Sequence, residues 1–425
     1  MGYKQNISSN LINQVIKIAF GLFTGIITAR ALGPEGQGYA SYIILIFTLV
    51  GTFGHLGLNN AVMFFQKRSD YSSETVFRIN LSYLYILFAV ISVSILVFYG
   101  SGAGLGDYNI FYILGGLIFV LSFFVFAHCH SFFVGDEKII ESNRYNIYVF
   151  FIKSILIAGF WILGYLSAGS FFAITVLAMA LNALYLYAKL GIKFEFMHDW
   201  SLLSAEFKYG SIVFMSTLFG FLHYKADQFM IKQMLGVSEL GIYTIAVTIA
   251  ELMFLIPASI TTALTGKLYN TNDKAMIRAI TARTVKITLY VCSVLSIAGL
   301  LLARLIPFVY GQAYVRSVPA TMILMLGVVF ASVGRVAFPY FYTLGRPLNN
   351  VVISFVTLLI NIALNFMLIP KYGIYGAAIA SSISYFIYGI YYIISFIVLE
   401  GFSVRSLLVP DREDLKLLTK TEKAI

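Results

Sequence analysis

The sequence predicts an all-α polytopic membrane protein with about twelve transmembrane helices in two six-helix lobes. Three observations predict this fold class: an apolar composition, a series of apolar stretches of bilayer-spanning length, and a glycine motif that recurs halfway along the chain. Of the 425 residues, 60% are hydrophobic and 11% are charged, whereas soluble domains have about 45–50% and about 25%. This composition places the chain in a membrane.

Twelve apolar stretches each approach the ~20 residues that a helix needs to cross a bilayer. The first stretch is expected to remain in the protein rather than to be cleaved as a signal peptide, because Lys17 interrupts its apolar run and Arg30 fills the cleavage motif. In the eighth stretch, Pro257 predicts a kink. The predicted spans are 11–32, 39–65, 79–99, 110–134, 145–166, 170–189, 210–232, 240–265, 284–306, 319–344, 349–370 and 374–398.

A short glycine motif lies between the first two stretches and returns between the seventh and eighth. The first copy is Leu32-Gly33-Pro34-Glu35-Gly36-Gln37-Gly38-Tyr39, and a weaker copy runs from Leu235 to Tyr243, with equivalent residues 203 positions apart. Such a repeat is typical of the duplicated helical bundles of transporters. It predicts hinges at Gly33, Gly38, Gly236 and Gly241, pseudo-symmetric lobes at 1–198 and 199–398, and a cytoplasmic tail at 399–425.

Lysine and arginine predict the orientation of the helices. If the N-terminus is cytoplasmic and the helices alternate in direction, the cytoplasmic segments hold 20 of these residues and the opposite side holds 5. Positive charge resists translocation, so both termini are predicted to be cytoplasmic. The basic residues are scattered over short loops, which argues against nucleic-acid binding and predicts contact with the anionic head groups of membrane lipids.

Several chemical sites are not expected. His128-Cys129-His130 lies within one helix, where consecutive side chains point about 100° apart and cannot converge on one metal ion. The glycines between residues 100 and 106 follow no strand and precede no Lys-Ser/Thr pair, so they form no phosphate-binding loop. The sequence therefore predicts no metal site, no cofactor and no catalytic residues.

Polar residues recur at helical spacing inside four predicted spans. Such stripes face other helices or a wet cavity, because lipid cannot satisfy their hydrogen bonds. Both interpretations stay open for the Ser, Thr and Gly positions, since small and hydroxyl residues also pack helices together. The stripes are Asn10, Gln14, Lys17, Gly21, Thr24 and Thr28; Thr48, Thr52, His55, Asn59 and Gln66; Ser216, Gly220, His223 and Asp227; and Asn350, Ser354, Thr357 and Asn361.

Basic residues inside the spans favour a binding function, because charge is costly to bury in a membrane. Arg30 lies 13 residues beyond Lys17 in the sequence, about 20 Å further along a helix, so these two residues cannot bind the same small group. Lys153 lies near the start of its helix and could also reach the interface as a snorkelling side chain. The candidate substrate-binding residues are Lys17, Arg30, His55, Asn59, Lys153 and Arg335.

Acidic residues and a histidine suggest a site for a coupling ion. His223 and Asp227 are four residues apart, so they share one helix face and could form a protonation pair. Glu251 precedes the kink expected at Pro257, where opened backbone carbonyls would lie close to an acid. The alternative is that Asp227 or Glu251 pairs with a lysine or arginine and only stabilises the helix bundle.

Four sequence motifs stand out in order along the chain: the turn Leu32 to Tyr39; Asp227 followed by Leu235-Gly236, Gly241-Ile242-Tyr243; Leu344-Gly345-Arg346-Pro347; and Ile369 to Ala378. In their order and spacing they resemble bacterial polysaccharide repeat-unit flippases of the multidrug/oligosaccharidyl-lipid/polysaccharide exporter superfamily. The resemblance implies two six-helix lobes around a central cationic cavity and alternating access. The implied cargo is an undecaprenyl-pyrophosphate-linked oligosaccharide, which is moved to the outer leaflet of the bacterial inner membrane. A polysaccharide polymerase and a chain-length regulator are possible partners.

Two other functions compete with the flippase. An ion-coupled drug or metabolite exporter of the same fold would favour acidic cavity residues. The charged residues inside the predicted spans of this chain are more often basic than acidic. A membrane-embedded polysaccharide polymerase would normally need a long outer loop with catalytic groups, and the predicted outer connections are short. We therefore expect a transporter rather than an enzyme. Its drive would be either consumption of the delivered substrate by a polymerase or a proton or sodium gradient.

The orientation is testable by cysteine labelling from outside intact cells. Residues 67–78, 136–144, 190–209, 266–283 and 399–425 should be protected from a membrane-impermeant thiol reagent, because their positive charge keeps them in the cytoplasm. A cysteine placed at position 102, in a predicted outer turn, should be labelled and serves as the control. Strong labelling at position 274 would reverse the orientation.

Overall fold

The computed structural model of this protein describes residues 3–68, 71–102, 105, 108–136, 138–269, 273–344, 346 and 348–408. Within these residues the chain is helical, with no strand. The helices are α1 (Tyr3–Phe53), α2 (Leu58–Arg68), α3 (Ser73–Gly100), α4 (Ile110–Gly135), α5 (Ile139–Ile162), α6 (Ala168–Leu190), α7 (Trp200–Leu235), α8 (Val237–Glu251), α9 (Leu255–Tyr269), α10 (Lys274–Leu302), α11 (Ile306–Tyr310), α12 (Ser317–Thr343), α13 (Leu348–Tyr372), α14 (Ile374–Val398) and α15 (Val404–Leu408).

The helices confirm an all-α polytopic membrane fold. Ten stretches of the described residues are long and apolar enough to cross a bilayer. The double-length helix α1 counts once among these ten, and α7 is not among them. Each of the twelve apolar stretches expected from the sequence nevertheless coincides with one or two of the observed helices.

The repeated glycine motif has the same backbone conformation in both copies. Gly33 has φ 64° and ψ −179°, and Gly236 has φ 95° and ψ 177°. This region of backbone space is essentially restricted to glycine. The turn expected at 33–38 is reduced to this one non-helical residue, because Pro34 suits the first turn of the helix that follows. Gly38 and Gly241 lie buried inside the following helices.

The second expected span is broken rather than continuous. Helix α1 ends at Phe53 and α2 begins at Leu58, with positive φ at Leu56 (50°) and Gly57 (86°). A Cβ atom on Gly57 would lie 3.2 Å from the carbonyl oxygen of Gly210 on α7, so the broken segment packs closely on that helix. The polar stripe expected from Thr48 to Gln66 therefore does not lie along one continuous helix, because the chain unwinds in its middle.

The chain divides into two compact units, Met1–Leu218 and Phe219–Ile425, and the division falls inside α7. Helix packing is similar in the two units: α4 packs on α6 and α5 on α6 in the first, as α12 packs on α14 and α13 on α14 in the second. Glycine allows close approach at these contacts. A Cβ on Gly389 of α14 would lie 2.3 Å from the carbonyl oxygen of Phe330 on α12.

Helices extend into connections that the sequence assigned to loops. The segment expected at 190–209 narrows to 191–199, and α9 and α10 occupy most of 266–283. Part of the expected tail also folds: Phe402 and Leu407 are buried in the core of the second unit, and the guanidinium carbon of Arg278 lies 4.7 Å from the centroid of the Phe402 ring. Residues 409–425 of the tail lie outside the described part of the chain.

The backbone at Gly33 can be tested against a matched glycine in the same helix. A Cβ atom would meet nothing within 4 Å at either Gly33 or Gly25, but only Gly33 has a positive φ. Gly33→Ala should therefore destabilise the protein by about 1–3 kcal/mol through backbone strain alone. Gly25→Ala should be neutral or slightly stabilising. Thermal unfolding in lipid nanodiscs measures both effects, and equal unfolding midpoints would show that Gly33 is not strained.

Candidate functional site

A buried carboxylate organises the polar side chains of the second unit. Asp227 on α7 is 1% exposed. Its Oδ2 accepts hydrogen bonds from the hydroxyls of Tyr243 on α8 (2.5 Å) and Ser381 on α14 (2.8 Å). Its Oδ1 accepts one from the backbone N–H of Gln228 (2.7 Å). Hydrogen bonds to an ionised acceptor are about twice as strong as neutral ones, and these three replace the water that burial removes.

His223 joins this network indirectly rather than by a bond to Asp227. Its Nε2 lies 3.0 Å from the hydroxyl of Ser384 and its Nδ1 lies 3.4 Å from the hydroxyl of Thr357. Asn361 bridges the two parts, because its Nδ2 donates to Ser384 (3.3 Å) and to Ser381 (3.2 Å). The direct pair expected from the spacing of four residues is wrong, since the α14 serines lie between the imidazole and the carboxylate.

The polar stripe of the eleventh expected span packs against α14. Asn350 on α13 accepts hydrogen bonds from the hydroxyls of Tyr388 (3.0 Å) and Tyr392 (2.8 Å). Further along α13, Asn365 donates to Asn361 at 2.9 Å. All four members of the stripe are buried. This stripe therefore joins two helices, which is the packing interpretation of its pattern.

Arg335 on α12 is held between aromatic rings. Its guanidinium carbon lies 3.8 Å from the ring centroid of Phe254 and 4.5 Å from that of Tyr224. Its Nε donates to the Tyr224 hydroxyl at 3.2 Å, which is the one hydrogen bond of this guanidinium within the described chain. The remaining N–H groups form the forked edge that binds carboxylates and phosphates in a bidentate manner.

Glu251 ends α8 and forms an ion pair. Its Oε1 lies 2.9 Å from Nζ of Lys225 on α7, and both side chains are partly exposed. A 3₁₀ turn follows at Leu252–Phe254, before α9 begins, so the helix is interrupted near Pro257 as expected. Lys225 takes part in this pair rather than snorkelling. The arrangement agrees with the alternative in which Glu251 stabilises the bundle.

Two lysines of the first unit face aromatic rings. Nζ of Lys17 on α1 lies 5.4 Å from the ring centroid of Phe150, and Nζ of Lys153 on α5 lies 5.5 Å from that of Phe171. Cation–π contact of this kind is worth about 0.5–2 kcal/mol. Neither lysine forms an ion pair within the described residues. Their charges are therefore available to an anion.

The other expected binding residues of the first unit do not join one cluster. Arg30 is exposed on α1, three residues before Gly33. His55 is buried in the broken segment, where its Nδ1 accepts from the backbone N–H of Gly57 at 3.1 Å. Oδ1 of Asn59 is buried without a hydrogen-bond partner. His55 thus stabilises the unwound backbone, and Asn59 keeps an unused acceptor beside it.

Sequence reasoning missed the α14 side of the network. Ser381, Ser384, Tyr388 and Tyr392 follow one another at spacings of three, four and four residues, which would have indicated a polar stripe. It also missed a buried pair in the first unit, where Nδ2 of Asn182 donates to Oδ1 of Asn146 at 2.5 Å. Among the described residues, no group of three or more His, Cys, Asp or Glu side chains could hold a metal ion.

The chemistry of the two units differs. In the second unit, hydroxyl, amide and imidazole groups connect Asp227 to His223 through side chains that can both donate and accept hydrogen bonds. Such a network can respond to a proton or a small cation at the carboxylate. In the first unit, unpaired ammonium groups lie over aromatic rings, a combination that suits an anionic group attached to an organic molecule.

Comparison with known proteins identifies relatives over most of the chain. The family model described as "Polysaccharide biosynthesis protein" matches residues 27–319. A Shigella flexneri protein named "Putative O-antigen transporter" is 23% identical over 373 residues, which are 84% of this chain and 88% of the relative. An uncharacterized membrane protein of Methanocaldococcus jannaschii is 30% identical over 125 residues, 28% of this chain and 25% of the relative.

Solved structures show the same fold. The lipid II flippase MurJ in an inward closed conformation superposes with a TM-score of 0.76 at 17% identity, covering 97% of this chain and 93% of that one. An inward-facing multidrug resistance MATE family transporter of the MOP superfamily superposes with a TM-score of 0.71 at 15% identity, covering 91% and 96%. At these identities the likeness shows the fold alone.

Proposed function

Given that the chain belongs to the polysaccharide biosynthesis protein family and has the fold of MOP-superfamily transporters, we propose that it carries an undecaprenyl-pyrophosphate-linked oligosaccharide. In this proposal the repeat unit moves from the cytoplasmic to the outer leaflet of the bacterial inner membrane by alternating access, with both termini of the protein in the cytoplasm. The similarity to an O-antigen transporter supports this class of cargo. A polysaccharide polymerase and a chain-length regulator are proposed partners that use the delivered unit.

The observation that carries the proposal is the set of intramembrane cations without acidic partners. Lys17 and Lys153 face aromatic rings, and the forked edge of Arg335 makes no hydrogen bond to the described protein. Unpaired charge in a membrane is costly and is retained where a ligand or ion needs it. A pyrophosphate group supplies the matching negative charge and several acceptor oxygens.

The aromatic residues beside these cations suit the sugar part of the cargo. Tyr224 and Phe254 flank Arg335, and Phe150 and Phe171 lie under the two lysines. An aromatic face next to a cation can hold a sugar ring while the cation binds the phosphate attached to it. The two candidate acids of the second unit are already engaged, Glu251 with Lys225 and Asp227 with three donors. This favours an anionic cargo over a cationic drug.

Removing the cations should block export. Lys17→Ala, Arg30→Ala and Arg335→Ala should each reduce surface polysaccharide by about 10-fold or more, because one hydrogen bond to a charged group contributes about 1.5–3 kcal/mol. Arg335→Lys should retain part of the activity unless a bidentate contact is required. Surface polysaccharide of the producing cells is quantified and normalised to the amount of protein in the membrane.

Arg346→Ala is the matched control, because this exposed arginine pairs with Glu400 outside the expected spans. Its surface polysaccharide should stay close to the wild-type level. Full polymer production by a Lys17→Ala, Arg30→Ala, Arg335→Ala triple variant would remove the cationic binding site from the proposal.

Asp227 is the proposed residue for ion coupling. A proton or sodium ion that binds this carboxylate would favour the conformation in which its affinity is higher. Asp227→Asn should therefore abolish the response of transport to an imposed gradient in reconstituted vesicles, while substrate binding is largely kept. The hydroxyls of Tyr243 and Ser381 can turn to accept from the new amide, so the variant should remain folded.

Glu239→Gln is the control for this experiment, because Glu239 is an acid of the same unit that pairs with Arg316. Its response to the gradient should equal that of the wild-type protein. A normal response in Asp227→Asn would show that Asp227 is a structural charge, and Glu251 would become the next candidate for the coupling residue.

A further inference from the structure

A buried carboxyl–amide pair lies at the start of α7 in the first unit. Glu206 on α7 and Asn80 on α3 are both 0% exposed. Nδ2 of Asn80 donates to Oε1 of Glu206 at 2.9 Å and to the backbone carbonyl oxygen of Val76 at 3.1 Å. The carbonyl oxygen can only accept, so the atom that faces it must be the amide nitrogen. Both hydrogens of that nitrogen are therefore used.

The other two oxygens of this pair have no partner. Oε2 of Glu206 and Oδ1 of Asn80 are buried and form no hydrogen bond. Both atoms are acceptors when the carboxyl group is ionised, so neither can satisfy the other. A buried acceptor without a donor costs about 1–3 kcal/mol, and more when it is charged. One additional hydrogen on Oε2 would supply the donor that the pair lacks, with Oδ1 as its acceptor.

The surrounding charges do not compensate an ionised Glu206. Arg78 on α3 pairs with Glu195 at 2.7 Å and with Glu74 at 3.7 Å. Five other ionisable groups of the described residues also bond elsewhere or lie exposed. His198 bonds to Tyr83, Asp199 to Tyr71 and His128 to the Phe77 carbonyl, while Lys193 and Lys208 are exposed. In the described part of the chain, no cation pairs with Glu206.

Burial raises the pKa of Glu206 to about 7, and the hydrogen bond from Asn80 offsets a part of this increase. Because the folded state then binds the proton more tightly than the unfolded chain, the proton stabilises the folded state. The stabilisation is fully present below the ordinary pKa of a glutamate and is lost as the pH rises to about 7.

We propose that Glu206 is a proton-binding site, in which the carboxyl proton is donated to Asn80 and its release weakens the contact between α7 and α3. The site is separate from the coupling role proposed for Asp227 and does not depend on the identity of the cargo. Glu206 lies on α7, which is the helix that contains the boundary between the two units. Protonation of Glu206 would therefore act on the element that both units share.

Infrared titration of the full-length protein in lipid nanodiscs tests the site directly. Between about pH 5 and pH 9, the wild-type protein should lose one C=O band of a protonated carboxyl group, with a midpoint near 7. Glu206→Gln should lack this band. Its amide can both donate to Oδ1 and accept from Nδ2 of Asn80, so the pair persists without a titrating proton. Glu195→Gln removes an exposed carboxylate nearby and should keep the band.

Asn80→Ala provides a second variant if Glu206→Gln does not fold. Removing the amide takes away both the hydrogen bond to Oε1 and the proposed acceptor of the carboxyl proton, so the midpoint of the band should change. A band that titrates unchanged in Glu206→Gln would overturn the proposal, as would its absence from the wild-type protein. An unchanged midpoint in Asn80→Ala would show that the titrating acid is another residue.

Discussion

The charge of Asp227 is the constraint on which the second unit depends. A fully buried carboxylate is tolerated only when hydrogen-bond donors replace the water that would otherwise hydrate it. For Asp227, those donors come from α8, α14 and the backbone of α7 itself. Ser381 then receives a hydrogen bond from Asn361 of α13. Four helices are thus joined to one acidic group. Because they share it, a change in its charge would alter the hydrogen bonds of all four helices together.

The two units combine similar helix packing with different electrostatics. In each unit one helix packs on the helix two before it, α6 on α4 and α14 on α12. Gly33 and Gly236 share one backbone conformation. In the second unit, the carboxylates of Asp227 and Glu251 bond to other side chains of that unit. In the first unit, Lys17 and Lys153 lie over aromatic rings without an ion pair among the described residues. The two units therefore share these backbone features, whereas their charged side chains differ. These two ammonium groups of the first unit can attract an anion.

Hydrophobic length predicted the helices well, because a bilayer imposes nearly the same length on every span. Two of the glycine positions were also readable, since only glycine suits the backbone at Gly33 and Gly236. The unwound segment at 54–57 was not predicted: Gly54 and Gly57 lie in an apolar run that reads as a continuous helix. Local spacing likewise paired His223 with Asp227, whereas the structure joins them through Ser381 and Ser384. The helical spacing of polar residues shows that each segment faces another helix, but it does not identify a partner about 150 positions away.

The folded end of the second unit sets a practical boundary for the chain. Phe402 and Leu407 bury their side chains in the core, and Glu400 accepts hydrogen bonds from Tyr340 (3.0 Å) and Arg346 (3.1 Å). Burial of each apolar side chain contributes about 1.5–3 kcal/mol. A fluorescent reporter fused directly after the last span would displace these residues and open the core that they close. A reporter fused after Leu408 leaves these buried side chains in place.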